Sequence, residues 1–247
     1  MIIKYFLGSC FIIFLFASCK KETEVLKTDL VQNYFPLQTG KFITYNLDST
    51  VFTKFGQNKT IIHYQAQDRV DAQITDNLGR PAFRIFRYLR SNSSQPWVPD
   101  NTFLAVPTEN GIEYVEDNLR FLKLMNPVQT GFSWKGNSFI DTYSPEFGLT
   151  YLDNWDYTYD SLNAPLTLNS LQFDSTITVL ERDEFLGNDP ALTTTLYAEK
   201  TYSVEKYAKG VGLIYRRFLH WEYQGPQPDR PGYYTGYGVE MSITDHN

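Results

Sequence analysis

The side chains with the strongest claim to chemistry stand close together in the middle of the chain. Asp153, Asp156 and Asp160 recur at spacings of three and four residues, interleaved with Trp155 and Tyr157 in Leu152-Asp153-Asn154-Trp155-Asp156-Tyr157. Carboxylates beside aromatic rings suit a sugar site, because rings stack on sugar faces and paired acids bind hydroxyls or act as acid and base. Asp153, Asp156 and Glu184 are therefore the candidate acids of a glycan-acting hydrolase in the 153–184 region. The same acids could line a calcium site, although the Asp-x-Asp-x-Asp-Gly form is missing. The simpler reading is a solvated loop whose aromatics pack down on a sheet. Glu181-Arg182-Asp183-Glu184 then reads as a charged turn at a strand end.

Little else in the chain suggests a reaction. His63, His220 and His246 are far apart, the first two on polar strand faces and the third in the terminal tail. A metal site would need two of them to converge with a carboxylate. There is no Gly-x-Ser-x-Gly, no His-Glu-x-x-His and no phosphate-binding glycine loop. No catalytic residue, metal ligand or cofactor is assigned. Pro96-Trp97-Val98-Pro99 and Gln224-Gly225-Pro226-Gln227-Pro228 read as rigid turns, or as segments offered to a partner. The candidate ligand surface is Trp97, Asp153, Trp155, Asp156 and Tyr157.

The N-terminus is more specific. Lys4, an apolar run from Tyr5 to Phe16 and the small pair Ala17-Ser18 are the three parts of a secretory signal. A helix needs ~20 apolar residues to cross a bilayer, so this run favours cleavage over permanent anchoring. Ala17-Ser18-Cys19 resembles the lipobox of bacterial lipoproteins, with Phe16 where Leu is usual. That resemblance implies cleavage after residue 18 and a thioether-linked diacylglycerol on Cys19. Two or three acyl chains at one site hold a protein stably at a membrane. Cys10 lies in the discarded signal, so the mature chain keeps one blocked cysteine. This excludes an intrachain disulfide, a thiolate zinc site and a cysteine nucleophile. Residues 19–30 are polar and aperiodic and read as a tether. The charges behind Cys19 resemble surface-export signals of Bacteroidota, so an outer-membrane address is expected, with the leaflet open.

Those sites need a scaffold, and composition limits which one. Of the 22 Lys and Arg, Lys4 falls in the signal, leaving 21 basic side chains against 28 acidic ones, a net charge of −7. An acidic chain without a basic cluster argues against nucleic acid. Residues 31–247 are long enough for a single domain that needs no disulfide or metal. The 18 Phe and 18 Tyr, with frequent Thr and Val, favour strands. Lys41–Phe55, Thr60–Thr75 and Pro81–Arg90 alternate between turn signals and predict an antiparallel meander. Short strands follow at 101–107, 111–116 and 118–124, then a loop from Asn126 to Asn137. Residues 143–170 show poor periodicity and predict a long surface excursion. Strands resume at 171–182, 196–207, 211–223 and 237–244. In the third of these, Val211, Leu213, Tyr215, Leu219, Trp221 and Tyr223 share the face expected to be buried, with Arg216, His220 and Glu222 opposite. Glu199–Lys206 could form a short helix, but its composition prefers strand. The fold class is all-β: a long-stranded twisted antiparallel sheet, either a sandwich or a half-barrel.

Three phrases in order resemble a set of Bacteroidota cell-envelope lipoproteins of unassigned function. They are Tyr34-Phe35-Pro36-Leu37-Gln38-Thr39-Gly40 through Tyr45, Leu122-Lys123-Leu124 through Pro127, Gly131 and Trp134–Asn137, and Gly210-Val211-Gly212-Leu213-Ile214-Tyr215. The resemblance implies an envelope address and brings no reaction with it. Two function classes follow. One is a non-catalytic binding or accessory protein for an apolar ligand, a glycan or an envelope protein. Its curved sheet is analogous to periplasmic lipid and lipoprotein carriers at the level of fold alone. The other is the hydrolase described above.

Overall fold

Strand-forming runs alternate with tight turns along the chain, and each run pairs antiparallel with its neighbours. The computed structural model describes residues 29–144 and 148–247; Cys19, the signal at 1–18 and most of the tether lie outside them. Twelve strands are found among the described residues: β1 Phe42–Thr53, β2 Asn58–Thr75, β3 Pro81–Arg90, β4 Val98–Pro107, β5 Gly111–Glu116, β6 Leu119–Met125, β7 Ser133–Lys135, β8 Asp156–Leu168, β9 Leu171–Gly187, β10 Tyr197–Ala208, β11 Gly212–Gln224 and β12 Tyr233–His246. They form one sheet in the order β6-β5-β4-β3-β2-β1-β12-β11-β10-β9-β8-β7. At its two ends, the Leu122 amide donates to the Gly136 carbonyl at 2.8 Å. Trp134 Nε1 donates to the Leu122 carbonyl at 2.7 Å. The expected antiparallel sheet therefore curls past a half-barrel into a nearly closed barrel.

Turn chemistry sets the hairpins. Asp76 Oδ1 accepts from the Leu78 and Arg80 amides, each at 2.9 Å, closing the β2–β3 turn. All connections within β1–β6 are short, so that half is a meander.

Three expectations need correction. Residues 143–170 are not one surface excursion, because β8 occupies Asp156–Leu168. Its pairing with β9 shifts register three times, and each irregularity resets the two-residue period that would have revealed a strand. The 126–137 loop contains β7. In β11 the period is right but the faces are reversed. Ile214, Phe218 and His220 are buried, whereas Leu213, Tyr215, Leu219, Trp221 and Tyr223 are half-exposed.

The barrel has a near end, where β1 begins, and a far end. At the near end the segment from Leu30 to Leu37, with a 3-10 turn at Val31–Asn33, lies across the opening. Gln32 Nε2 donates to the Thr108 carbonyl at 3.0 Å, and the Gly210 amide donates to the Asn33 carbonyl at 2.7 Å. Val31 and Tyr34 are buried. At the far end residues 136–144 and 148–155 fold over the opening, with a second 3-10 turn at Thr150–Leu152. Both openings are thus plugged by the chain itself.

Candidate functional site

Alternation along β5, β6, β9, β10 and β11 sends charged side chains inward, where the two plugs shield them from water. Lys123 sits at the centre. Its ammonium donates to Glu181 Oε1 at 3.0 Å and to Glu205 Oε1 at 2.7 Å. These three side chains are only 4%, 2% and 2% exposed, so their charges are removed from solvent. Ser203 Oγ donates to Glu181 Oε2 at 2.5 Å, and the Tyr207 hydroxyl donates to Glu205 Oε2. Arg216 makes a two-pronged contact with Glu116 at 3.0 and 2.8 Å. Arg87 grips Asp68 differently, Nε and Nη2 each donating to one carboxylate oxygen at 2.7 Å, beneath the Phe103 ring, whereas Arg216 donates to both Glu116 oxygens from Nη1 alone.

The charges nearly balance, and the small imbalance decides which group shifts. Three cations, Lys123, Arg87 and Arg216, face four carboxyls, Asp68, Glu116, Glu181 and Glu205. Burial pushes Glu181 up to about 7, and the neighbouring charge of Glu205 pushes the same way. Burial also opposes ionisation of Glu205 and Glu116, but Lys123 and Arg216 hold the first below the usual range, and Arg216 and Arg87 the second. Lys123 is raised despite its burial, because Glu181 and Glu205 favour the ammonium. Around neutral pH, Glu181 shares its proton and the core approaches neutrality.

A cavity of about 70 Å³ lies beside this network, between Phe35-Pro36-Leu37 and the floor formed by Arg87, Lys123, Glu205 and Arg216. It holds a few waters at most, since each occupies roughly 30 Å³. Arg216 Nε is buried there without a hydrogen bond, and Glu205 Oε1 is 3.5 Å away. The three phrases of the sequence meet at this point. Gly212 has φ +116°, and a Cβ there would come 3.1 Å from Ile43 Cδ1 and 3.9 Å from Pro36 Cδ. Lys41 Nζ donates to the Gly210 carbonyl at 3.1 Å. Lys123 supplies the floor, and Leu122, Trp134 and Gly136 close the ring.

A larger groove of about 490 Å³ lies on the opposite, outer face of β8–β11. Leu166, Leu168, Leu180 and Val204 wall it, with Tyr202 and Tyr215 beside them, and Asp160, Asp183 and Lys206 mark its polar edge.

The residues singled out in the sequence do not assemble into one surface. Trp155 is 2% exposed, its Nε1 donating to the Tyr151 carbonyl at 2.7 Å, and its ring packs against Phe218. Tyr157 is 1% exposed and donates to Asn137 Oδ1 at 3.0 Å. Trp155 belongs to the far-end plug and Tyr157 to the start of β8 beside it, and both rings are buried. Asp153 accepts from Thr142 Oγ1 and the Tyr143 hydroxyl, both at 2.9 Å. Asp156 is exposed and pairs with Lys135 at 2.8 Å. Glu184 is exposed and pairs with Arg182. Trp97, on the β3–β4 connection, is half-buried under the Arg90 guanidinium at 4.1 Å. His63 is exposed against Asp48 at 2.6 Å. His220 is buried rather than on a polar face: it is bonded to Thr201 at 3.0 Å and stacked on Tyr151 at 4.1 Å, and burial pushes its pKa down. Among the described residues, no group of three His, Cys, Asp or Glu is arranged to hold a metal.

The network itself was hidden in the sequence. Glu181 stands in a run that reads as a solvated turn, and Lys123 lies 58 and 82 residues from its two partners. The one usable signal was Arg216, a charge on a face alternating with Ile214 and Phe218.

The architecture defines a class: an all-β barrel of twelve antiparallel strands, plugged at both ends around a charged core. No protein-family model matches the sequence, and no curated protein is significantly similar to it. Solved structures that are similar to it include two bacterial proteins. One is a Bacteroides fragilis protein described as exported and of YmcC-like fold, with 11% identity and a TM-score of 0.39, covering 86% of this chain and 99% of its own. The other is a Parabacteroides distasonis protein described as a lipoprotein, with 11% identity and a TM-score of 0.33, covering 87% and 98%.

Proposed function

We propose that this protein is a lipid-anchored component of the bacterial cell envelope that binds an apolar ligand and does no chemistry on it. The anchor rests on Lys4, the apolar run to Phe16 and Ala17-Ser18-Cys19. The non-catalytic reading rests on a close carboxyl pair inside the barrel. Glu181 and Glu205 converge on a single ammonium, yet both are 2% exposed behind two plugs, where no glycosidic bond can reach. Volume then supports one seat for a ligand over the other. Small-molecule sites run to roughly 300–1,000 Å³. The outer groove, at about 490 Å³, falls within that range, and the inner cavity does not.

Binding of a fluorescent fatty acid to the full-length protein tests the groove. Leu180→Glu places a charge on its wall and is expected to weaken binding at least tenfold, while Trp97→Ala leaves it unchanged. No binding by the wild type, or equal binding by both variants, overturns the assignment. Metabolic labelling with a palmitate analogue tests the anchor separately. Cys19→Ala should abolish the label and release the protein from the membrane, and retained label refutes the lipobox.

A further inference from the structure

The sheet leaves several stretches of strand unpaired on one side at the far end; Val98–Phe103 of β4, which pairs with β3 alone, is interrupted by Pro99, and two others are built differently from each other. β2 runs from Asn58, but β3 pairs with it only from Gln65 onward, so Asn58–Tyr64 has β1 on one side alone. β8 pairs with β9 only as far as Leu180, which leaves Glu181–Gly187 bonded to β10 alone. The β9 edge ends in the exposed Phe185 and Leu186, but ahead of them it carries Arg182, Asp183 and Glu184, charges that an incoming strand would have to strip of water. Natural sheets blunt their edges in this way. The β2 edge reads Asn-Lys-Thr-Ile-Ile-His-Tyr, with one lysine, no proline and strong strand propensity. Ile61 and Ile62 are 49% and 40% exposed there, one on each face of the strand.

We propose that Asn58–Tyr64 is a self-association surface, on which a second copy of the chain adds the same strand antiparallel about a two-fold axis at Ile61. Backbone groups supply the pairing, because alternate residues along this edge turn an N–H and a C=O outward with no partner. The side chains then set the register. Ile61 faces its own copy, Thr60 faces Ile62, and Asn58 faces Tyr64. Lys59 faces His63, whose ring is held 2.6 Å from Asp48. The lysine of each copy therefore arrives beside a carboxylate of the other, twice per dimer. A copy docked on the β9 edge would meet three charged side chains and continue as an open chain instead of closing.

Cross-linking of the full-length protein in detergent reads the register directly. Residues directly opposite in antiparallel strands hold their Cβ atoms about 4.5–5.5 Å apart, close enough to be drawn into a disulfide. In a background with Cys10→Ser and Cys19→Ser, Ile61→Cys should give a covalent dimer as the main product of mild oxidation. Thr60→Cys and Ile62→Cys should give little when oxidised separately, and a cross-linked pair when mixed. Sedimentation supplies the second measurement. The wild type should show a concentration-dependent dimer, and Ile61→Lys should weaken it on the order of tenfold or more by setting like charges opposite one another. Because Ile61 is exposed, its circular dichroism should match the wild type. A monomer at every concentration, equal cross-linking at all three positions, or capture only of a different protein's strand at this edge would overturn the proposal.

Discussion

Lys123 and Glu205 lie 2.7 Å apart inside the barrel, although 82 residues separate them in the sequence and their strands, β6 and β10, are not neighbours in the sheet. This contact, with its twin to Glu181, ties the edge strand β6 to β9 and β10 through the interior.

Breaking that tie should be costly. Lys123→Met leaves two carboxyls buried beside an apolar side chain, and removing one partner of a buried pair costs about 3–5 kcal/mol. Urea unfolding should show the loss. Adding Glu181→Gln and Glu205→Gln should restore much of it, since a neutral core has no orphaned charge. For contrast, Asp156→Asn breaks a pair exposed at both ends, and its effect should stay below about 1 kcal/mol.

The same network predicts an unusual response to pH. Glu181 is raised in the folded state, so its folded form holds a proton that the unfolded chain has already lost. Its contribution is complete below the unfolded pKa, near 4.5, and is lost as pH rises through about 7. Glu116 and Glu205 are depressed and act in the opposite sense, their contribution vanishing as pH falls below the ordinary carboxyl range. Glu181→Gln should therefore flatten the decline in stability between pH 5 and 7.5 and leave the acid limb in place. Unfolding measured at both pH values checks this, and an unchanged decline refutes it.

Gly212 should be intolerant in a way that Gly79 is not. Both have positive φ, but a Cβ at Gly212 meets Ile43, whereas one at Gly79 meets nothing within 4 Å. Gly79→Ala should show only the backbone term, about 1 kcal/mol. Gly212→Ala should reach about 1–3 kcal/mol and shift the Pro36 and Ile43 resonances.

The seam between β6 and β7 should be the most easily opened part of the ring, since so few bonds close it. Trp134→Phe removes the indole donor to Leu122 but keeps the ring stacking. A net hydrogen bond is worth about 1 kcal/mol, so exchange of the Leu122 amide should speed up roughly fivefold. Amides of β1 and β12 serve as the internal control.

The sequence revealed the strands better than the interior. Gly111–Glu116 and Pro81–Arg90 were read to the residue, because period-two patterning and turn residues are local signals. β8 escaped because its bulges break the period. β11 was inverted for a deeper reason. A two-residue period separates two faces but does not name the buried one, and hydropathy names it only when the core is apolar. Here Arg216 is paired inside the barrel, while Leu219 and Trp221 cover the outside. The acids of the core gave no such local signal. Asp153 and Asp156 looked chemical because they cluster in sequence, whereas Glu181 and Glu205 cluster only once β9 and β10 pair.

One consequence of the strand order concerns time. β1 sits between β2 and β12, with Ile43 opposite His246, so the second strand to flank it is the last of the twelve to be synthesised. A meander of β1 to β6 can form early from local contacts, but it must wait with one edge of β1 bare until β12 has emerged. Pairings this distant in sequence make for slow folding, and a bare strand is open to wrong partners during the delay. The ring is thus finished by joining its beginning to its end, and a chain cut short before β12 would be left with β1 exposed.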